Sequence, residues 1–69
     1  MPLPIAPVGE RFTVKKVVAD ERNKRHLENL GITIGTGVTV LSQVGGNVII
    51  RVRDGRLAID RSLAMKIMV

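Results

Sequence analysis

The segment at residues 25–41, RHLENLGITIGTGVTVL, combines the end of a helix, two turn glycines and the start of a strand. Leu27 and Leu30 are three residues apart, so they lie on one face of a helix. Gly31 follows at the position where helices commonly end in the left-handed conformation, which glycine adopts without a Cβ clash. Gly35 is a second residue that can take a positive φ in a tight turn. The segment therefore predicts a short helix that leads directly into a sheet.

Short strands account for most of the chain outside this segment. Runs rich in Val, Ile and Leu favour strands and predict five of them, at residues 11–18, 37–43, 48–53, 56–60 and 65–69. The pairs Gly45-Gly46 and Asp54-Gly55 each lie between two of these runs, which predicts a hairpin turn at both. Adjacent valines break the alternation of the first strand, so a bulge or twist is expected near residue 16.

One short helix is expected between the first two strands, from Glu21 to Leu30. Asp20 precedes it and is a good N-cap, because its carboxylate can accept hydrogen bonds from the free amides of the first turn. A helix of this length is marginal alone, so Leu27 and Leu30 must pack on the sheet. Residues 61–64 predict a single 3₁₀ turn before the last strand.

These elements favour a mainly β fold, a small closed barrel of five strands. Closure removes the exposed edges that an apolar strand otherwise presents for aggregation. The 69 residues allow one domain, and the lack of cysteine excludes disulfides and thiolate metal sites. The first eight residues hold all three prolines, so residues 1–8 are expected to form an extended lead-in to a domain at residues 9–69.

The net charge of +5 suits an acidic partner, which a protein surface, a nucleic acid or an anionic membrane can provide. No apolar run approaches the ~20 residues of a membrane helix. The early prolines interrupt any signal-peptide core. We therefore expect a cytoplasmic protein with no direct membrane insertion.

Three fragments of the sequence carry a family resemblance: LENLGITIGTGVTV at 27–40, GGNVIIRV at 45–52 and RLAIDRSLAMKIMV at 56–69. In this order and at this spacing they resemble the ferrous iron transport protein A family, FeoA, over about residues 8–69. Ile34 departs from the family pattern, which often has proline before the turn glycine.

The resemblance implies an SH3-like β-barrel, which agrees with the elements derived above. It also implies a non-enzymatic accessory role in ferrous iron uptake. The implied partner is the cytoplasmic GTP-binding domain (G domain) of the large membrane-bound ferrous iron transporter, protein B of the Feo system.

No residue set predicts catalysis or a cofactor. The single histidine, His26, is joined to Ser42 or Ser62 by no motif, so an enzyme is not expected. His26 also lacks a second histidine and acidic neighbours at converging spacings, so no metal site is assigned and only weak metal ion binding is considered. The turn glycines follow a helix and lead into a strand, whereas a phosphate-binding loop leads into a helix.

Four residues form the predicted docking surface: Arg22, Lys24 and Arg25 on the helix and Ile34 at the tip of the following turn. A solvated helix face explains the three charges equally well, whereas an isoleucine at a turn tip suggests exposed apolar surface. The alternative function is a small basic nucleic-acid-binding β-barrel. Phe12 is the only aromatic residue and is expected to be buried, so no stacking platform and no nucleic-acid partner are expected.

Overall fold

Six short strands form two antiparallel sheets in the computed structural model, which describes residues 1–69. The strands are β1 (Arg11–Thr13), β2 (Lys16–Val17), β3 (Gly37–Val44), β4 (Asn47–Val52), β5 (Gly55–Asp60) and β6 (Ile67–Met68). One sheet has the order β1-β3-β4-β5, and β2 pairs with β6 in the other. The remaining elements are α1 (Glu21–Asn29), α2 (Arg61–Ala64) and a 3₁₀ helix (Leu3–Ile5). The fold is mainly β, as predicted.

The prediction of a closed five-stranded barrel is wrong, because the first predicted strand is divided between two open sheets. The amide of Val14 donates to the carbonyl of Thr36, just before β3, at 2.9 Å. The next amide, that of Lys15, donates to the carbonyl of Met68 in β6 at 2.8 Å. Hydrophobic alternation detects the extended chain at residues 11–18 but not the neighbour with which each amide pairs.

The ends of α1 agree with the prediction to within one residue. The carboxylate of Asp20 caps the helix by accepting from the amide of Asn23 at 2.9 Å. Gly31 has φ +86°, and the amide of Ile32 donates to the carbonyl of Leu27 at 2.8 Å, which is the pattern of a Schellman ending. The predicted place of the helix, between the first two strands, is not confirmed as stated, because the segment predicted as the first strand forms both β1 and β2, and α1 therefore lies between β2 and β3.

The hairpin between β3 and β4 turns at Gly45-Gly46, as predicted, with Gly45 at φ +61°. β3 also contains a register shift between Val40 and Ser42. This irregularity lies in a different strand from the bulge expected near residue 16.

The hairpin between β4 and β5 turns one residue earlier than predicted. Val52 and Gly55 are paired strand residues, so the two-residue loop is Arg53-Asp54 and Gly55 belongs to β5. Arg53 is the only non-glycine residue with a positive φ, at 54°. Residues other than Gly, Asn and Asp rarely adopt a positive φ, so sequence rules place the turn at Asp54-Gly55 instead of Arg53-Asp54.

Residues 61–64 form the short α-helix α2 rather than a 3₁₀ turn. The carboxylate of Asp60 caps it by accepting from the Ser62 hydroxyl at 2.6 Å and from the Leu63 amide at 3.1 Å. These two hydrogen bonds, the hydroxyl first, lower the pKa of Asp60. Met65 ends the helix, so the last strand is limited to β6 and is shorter than predicted.

The first eight residues are not the extended lead-in that their prolines suggest. They include the 3₁₀ helix, and the side chains of Leu3 and Ala6 are buried in the core. The terminal ammonium of Met1 donates to the carbonyl of Val69, and the Val69 amide donates to the carbonyl of Met1, both at 2.8 Å. The first and last residues of the chain are therefore hydrogen-bonded to each other next to the core.

One apolar core lies between the two sheets, α1 and the 3₁₀ helix. Its 14 buried residues are Leu3, Ala6, Val14, Leu27, Ile32, Val38, Val40, Val48, Ile50, Val52, Ile59, Ala64, Ile67 and Val69. Phe12 packs against this core and is half-buried. Crossing a membrane takes a helix longer and more apolar than any in this structure.

Candidate protein-docking site

A groove of about 660 Å³ runs beside α1. The helix contributes Glu21, Lys24 and Glu28 to its lining. These positions are three and four residues apart, so their side chains share one helical face. That wall of the groove therefore carries acidic, basic and acidic groups in succession.

The opposite side of the groove is formed by β2 and by the segment that follows α1. Lys16 and Val17 of β2 line it, together with Ile32. Ile32 is only 1% exposed, so it belongs to the core and offers little apolar surface to a ligand. β2 pairs with β6 along one edge only, which leaves its other edge without a strand partner.

The turn at residues 33–36 places Ile34 at one end of this groove. The Thr36 amide donates to the Thr33 carbonyl at 3.0 Å, and the hydroxyls of these two threonines are also 3.0 Å apart. Gly35 has φ +93°, and its amide donates to the carbonyl of Val14 at 2.8 Å. These contacts tie the turn to the chain between β1 and β2, so the tip is held while Ile34 remains 71% exposed.

The structure brings together two of the four predicted docking residues. Lys24 and Ile34 both line the groove. Arg22 and Arg25 instead line a shallow cleft with His26, which adjoins the groove and shares Glu21 with it. The helical period separates them, because residues one position apart do not face the same way.

Sequence reasoning missed three charged residues that line the groove, Lys16, Glu21 and Glu28. The spacing of Glu21, Lys24 and Glu28 was a usable signal, since i, i+3 and i+7 positions share a face. Lys16 had no comparable signal, because its place depends on the pairing of β2 with β6.

The predicted turn glycines divide into two classes. Gly31, Gly35 and Gly45 take positive φ values, as a left-handed position requires. Gly46 and Gly55 do not, so their conformations are open to other residues. No group of three His, Cys, Asp or Glu side chains is arranged to hold a metal ion.

Comparison with known proteins relates these features to one family. The model of the FeoA domain matches residues 1–69, the entire chain. The chain belongs to the FeoA family. Over 68 residues it is 43% identical to the Fe(2+) transport protein A assigned in Methanocaldococcus jannaschii, covering 99% of this chain and 83% of that protein.

Solved FeoA structures share the fold. A crystal structure of an iron uptake regulatory protein, FeoA, matches with a TM-score of 0.86 and 29% identity, covering 96% of this chain and 88% of that one. FeoA of Stenotrophomonas maltophilia, complexed with zinc and described as a prokaryotic SH3 domain protein, matches with a TM-score of 0.84 and 24% identity, covering 99% and 87%. The chain is therefore an SH3-like member of the FeoA family, a small accessory protein of ferrous iron transport rather than an enzyme.

Proposed function

We propose that this chain docks on the cytoplasmic G domain of the ferrous iron transporter, protein B of the Feo system, and acts there as a cytoplasmic accessory protein. Ile34 carries the proposal. It is 71% exposed at the tip of a hydrogen-bonded turn beside the groove. An exposed apolar side chain on a held turn loses little conformational freedom on binding, which suits it to be an anchor.

The residues around Ile34 indicate what kind of surface the partner must present. The groove that it lines also carries two basic and two acidic side chains, those of Lys16, Lys24, Glu21 and Glu28. A complementary partner has an apolar pocket for Ile34 and charged groups of both signs around that pocket. A nucleic acid fits this description poorly, because it offers only negative charge, and Phe12 packs against the core and provides no stacking surface.

A kinetic binding assay against the purified G domain tests the proposal. Ile34→Asp should shorten the lifetime of the complex about tenfold or more, because it removes a desolvated apolar contact and buries a charge. Ile34→Val is the matched control, since it keeps an apolar side chain at the tip, and should leave the lifetime within about threefold of the parent.

Two charge-reversal variants test whether association depends on charge in the groove or on charge elsewhere on the helix. Lys24→Glu should slow association and reduce its salt dependence, whereas Arg25→Glu, with the same change in net charge at a residue that does not line the groove, should act less. All variants should melt with the parent, because Ile34 and Arg25 are exposed and Lys24 lines an open groove. Equal kinetics for the parent and Ile34→Asp would refute docking through the turn.

A further inference from the structure

Three arginines form one row across the four-stranded sheet. The register pairs Arg11 of β1 with Thr39 of β3, Thr39 with Arg51 of β4, and Arg51 with Arg56 of β5. Residues opposite one another in an antiparallel sheet project from the same face. All three arginines are exposed, so we call this set, Arg11, Arg51 and Arg56, the arginine row.

The face that carries the arginine row has no carboxylate beside it. Alternation along the strands puts Thr13, Gly37, Ile49 and Ala58 on this face next to the row. Within the strands, the acid on the same face is Asp60, four pairs along the ladder from Arg56, and Asp54 lies in the adjoining turn. The carboxylate of Asp60 already accepts hydrogen bonds from α2. The positive charge of the row is therefore not neutralised from within the sheet.

The side chain of Arg11 packs against Gly37 of β3. A Cβ on Gly37 would overlap the guanidinium of Arg11, so that side chain lies directly against the glycine backbone. Gly37 has no positive φ, so a larger residue there would only require the exposed side chain of Arg11 to move aside. The guanidinium of Arg11 therefore lies over β3 rather than projecting straight away from β1.

The guanidinium donors of the arginine row have no partners in the structure, and the like charges of the row repel one another. None of the three guanidinium groups takes part in the side-chain hydrogen bonds of the structure. Like charges directly opposite each other, as at Arg51 and Arg56, destabilise a pair of strands. A guanidinium presents a planar fork of donors that matches a carboxylate or phosphate. An anionic ligand would both satisfy these donors and relieve the repulsion.

We propose that the arginine row binds an acidic segment of a protein partner. Neighbouring strands are about 5 Å apart, so the backbones of Arg51 and Arg56 are separated by about 5 Å and the backbone of Arg11 lies about 10 Å beyond that of Arg51, spacings that the long arginine side chains can adjust. Four residues of a helix rise about 6 Å and seven rise about 10 Å. An acidic helix with carboxylates at i, i+4 and i+11 therefore matches the row.

The composition of the face favours a protein over a membrane or a nucleic acid. Beside the row the face offers only the half-buried Ile49, and its one exposed apolar side chain, Val44, lies at the far end of the sheet opposite Asn47. A single valine is a weak anchor for a bilayer, and without an exposed aromatic side chain the face has nothing to stack on bases. The row shares no residue with the groove beside α1, so this inference does not depend on the function proposed above.

The test uses the full chain and a synthetic helical peptide of alanine and glutamine with three glutamates at i, i+4 and i+11. A second peptide of the same composition distributes the three glutamates around the helix. NMR titration at low ionic strength should move the signals of the arginine row with the first peptide. The second peptide should bind roughly fivefold or more weakly, because it cannot reach all three arginines at once.

Variants separate geometry from net charge. Arg51→Gln with Arg56→Gln should weaken binding of the first peptide roughly tenfold or more. Arg22→Gln with Arg25→Gln removes the same charge from the outer side of α1 and should change it by less than about threefold. Arg51→Lys with Arg56→Lys keeps the charge but loses the planar forks, so it should give an intermediate loss.

Three results would overturn the inference. One is an equal loss in the two glutamine double variants, which would mean attraction by net charge alone. Another is equal binding of the two peptides. The third is the row binding phosphatidylglycerol vesicles or duplex DNA while failing to bind the first peptide.

Discussion

Replacing Gly31 should destabilise the fold through the end of α1. Its φ of +86° lies in the left-handed region, and its amide donates to the carbonyl of Glu28 at 2.9 Å. The next amide, that of Ile32, donates to Leu27 at 2.8 Å. These bonds require the reversal of the chain at Gly31, and both Leu27 and Ile32 belong to the core. A substitution that resists the reversal therefore strains the link between the helix and the sheet.

The magnitude follows from two opposing terms. A left-handed conformation costs a non-glycine residue about 1–3 kcal/mol, and the steric crowding of a β-branched side chain puts valine toward the upper end of that range. A Cβ at Gly31 would lie 3.3 Å from Nε of Arg53, a side chain that can move aside, so this contact adds little. Loss of glycine also restricts the unfolded chain, which offsets about 0.4–1 kcal/mol. Gly31→Val should therefore lower the free energy of unfolding by about 1–2 kcal/mol or more.

Denaturant unfolding followed by circular dichroism measures this loss, and a thermal melt should show a fall of about 4–8 °C for each kcal/mol. Gly45→Ala is a matched variant with a positive φ but open space around it, so it isolates the conformational cost. Gly46→Ala lies in the neighbouring position, without a positive φ and also with open space, and should be close to neutral. A Gly31→Val protein as stable as Gly46→Ala would refute the argument.

Three further outcomes follow from the packing and the charges. Because hydrogen bonds lower the pKa of Asp60 in the folded state, its contribution to stability is present above the unfolded pKa and is lost as the pH falls through the folded one; Asp60→Asn should flatten the decline in melting temperature below about pH 5. Leu3→Ala should cost about 2–5 kcal/mol in chemical unfolding because Leu3 is fully buried, whereas Ile5→Ala, at 60% exposure, should cost less than about 1 kcal/mol. Arg56→Glu replaces a like-charge pair with an opposite-charge pair across from Arg51 and should raise stability by about 0.2–1 kcal/mol at low salt; a fall would contradict the repulsion assigned to the arginine row.

Local chemistry made several elements predictable from the sequence. Asp20 and Gly31 mark the two ends of α1 because a cap and a Schellman ending involve only residues within a few positions of each other. Gly45 marks its hairpin for the same reason. The exposure of Ile34 was also predicted, since the turn that presents it is closed by its own neighbours, Thr33 and Thr36.

Only the tertiary structure decided how the strands combine. The sequence shows that residues 11–18 are extended, but long-range hydrogen bonds assign Val14 to one sheet and Lys15 to the other. The proline-rich start joins the core because the space beside it is closed by the chain's last residues, as the two bonds between Met1 and Val69 show.

The candidate surfaces also depend partly on local sequence and partly on the tertiary structure. The helical period, a local property, was enough to separate Lys24 from Arg25, although both were predicted to belong to one docking surface. The sequence by itself did not determine that Lys24 shares a groove with Lys16, or that Arg11, Arg51 and Arg56 form a row. Those arrangements depend on strand register, which is set by pairing between residues far apart in the chain and by the burial of one face of the sheet.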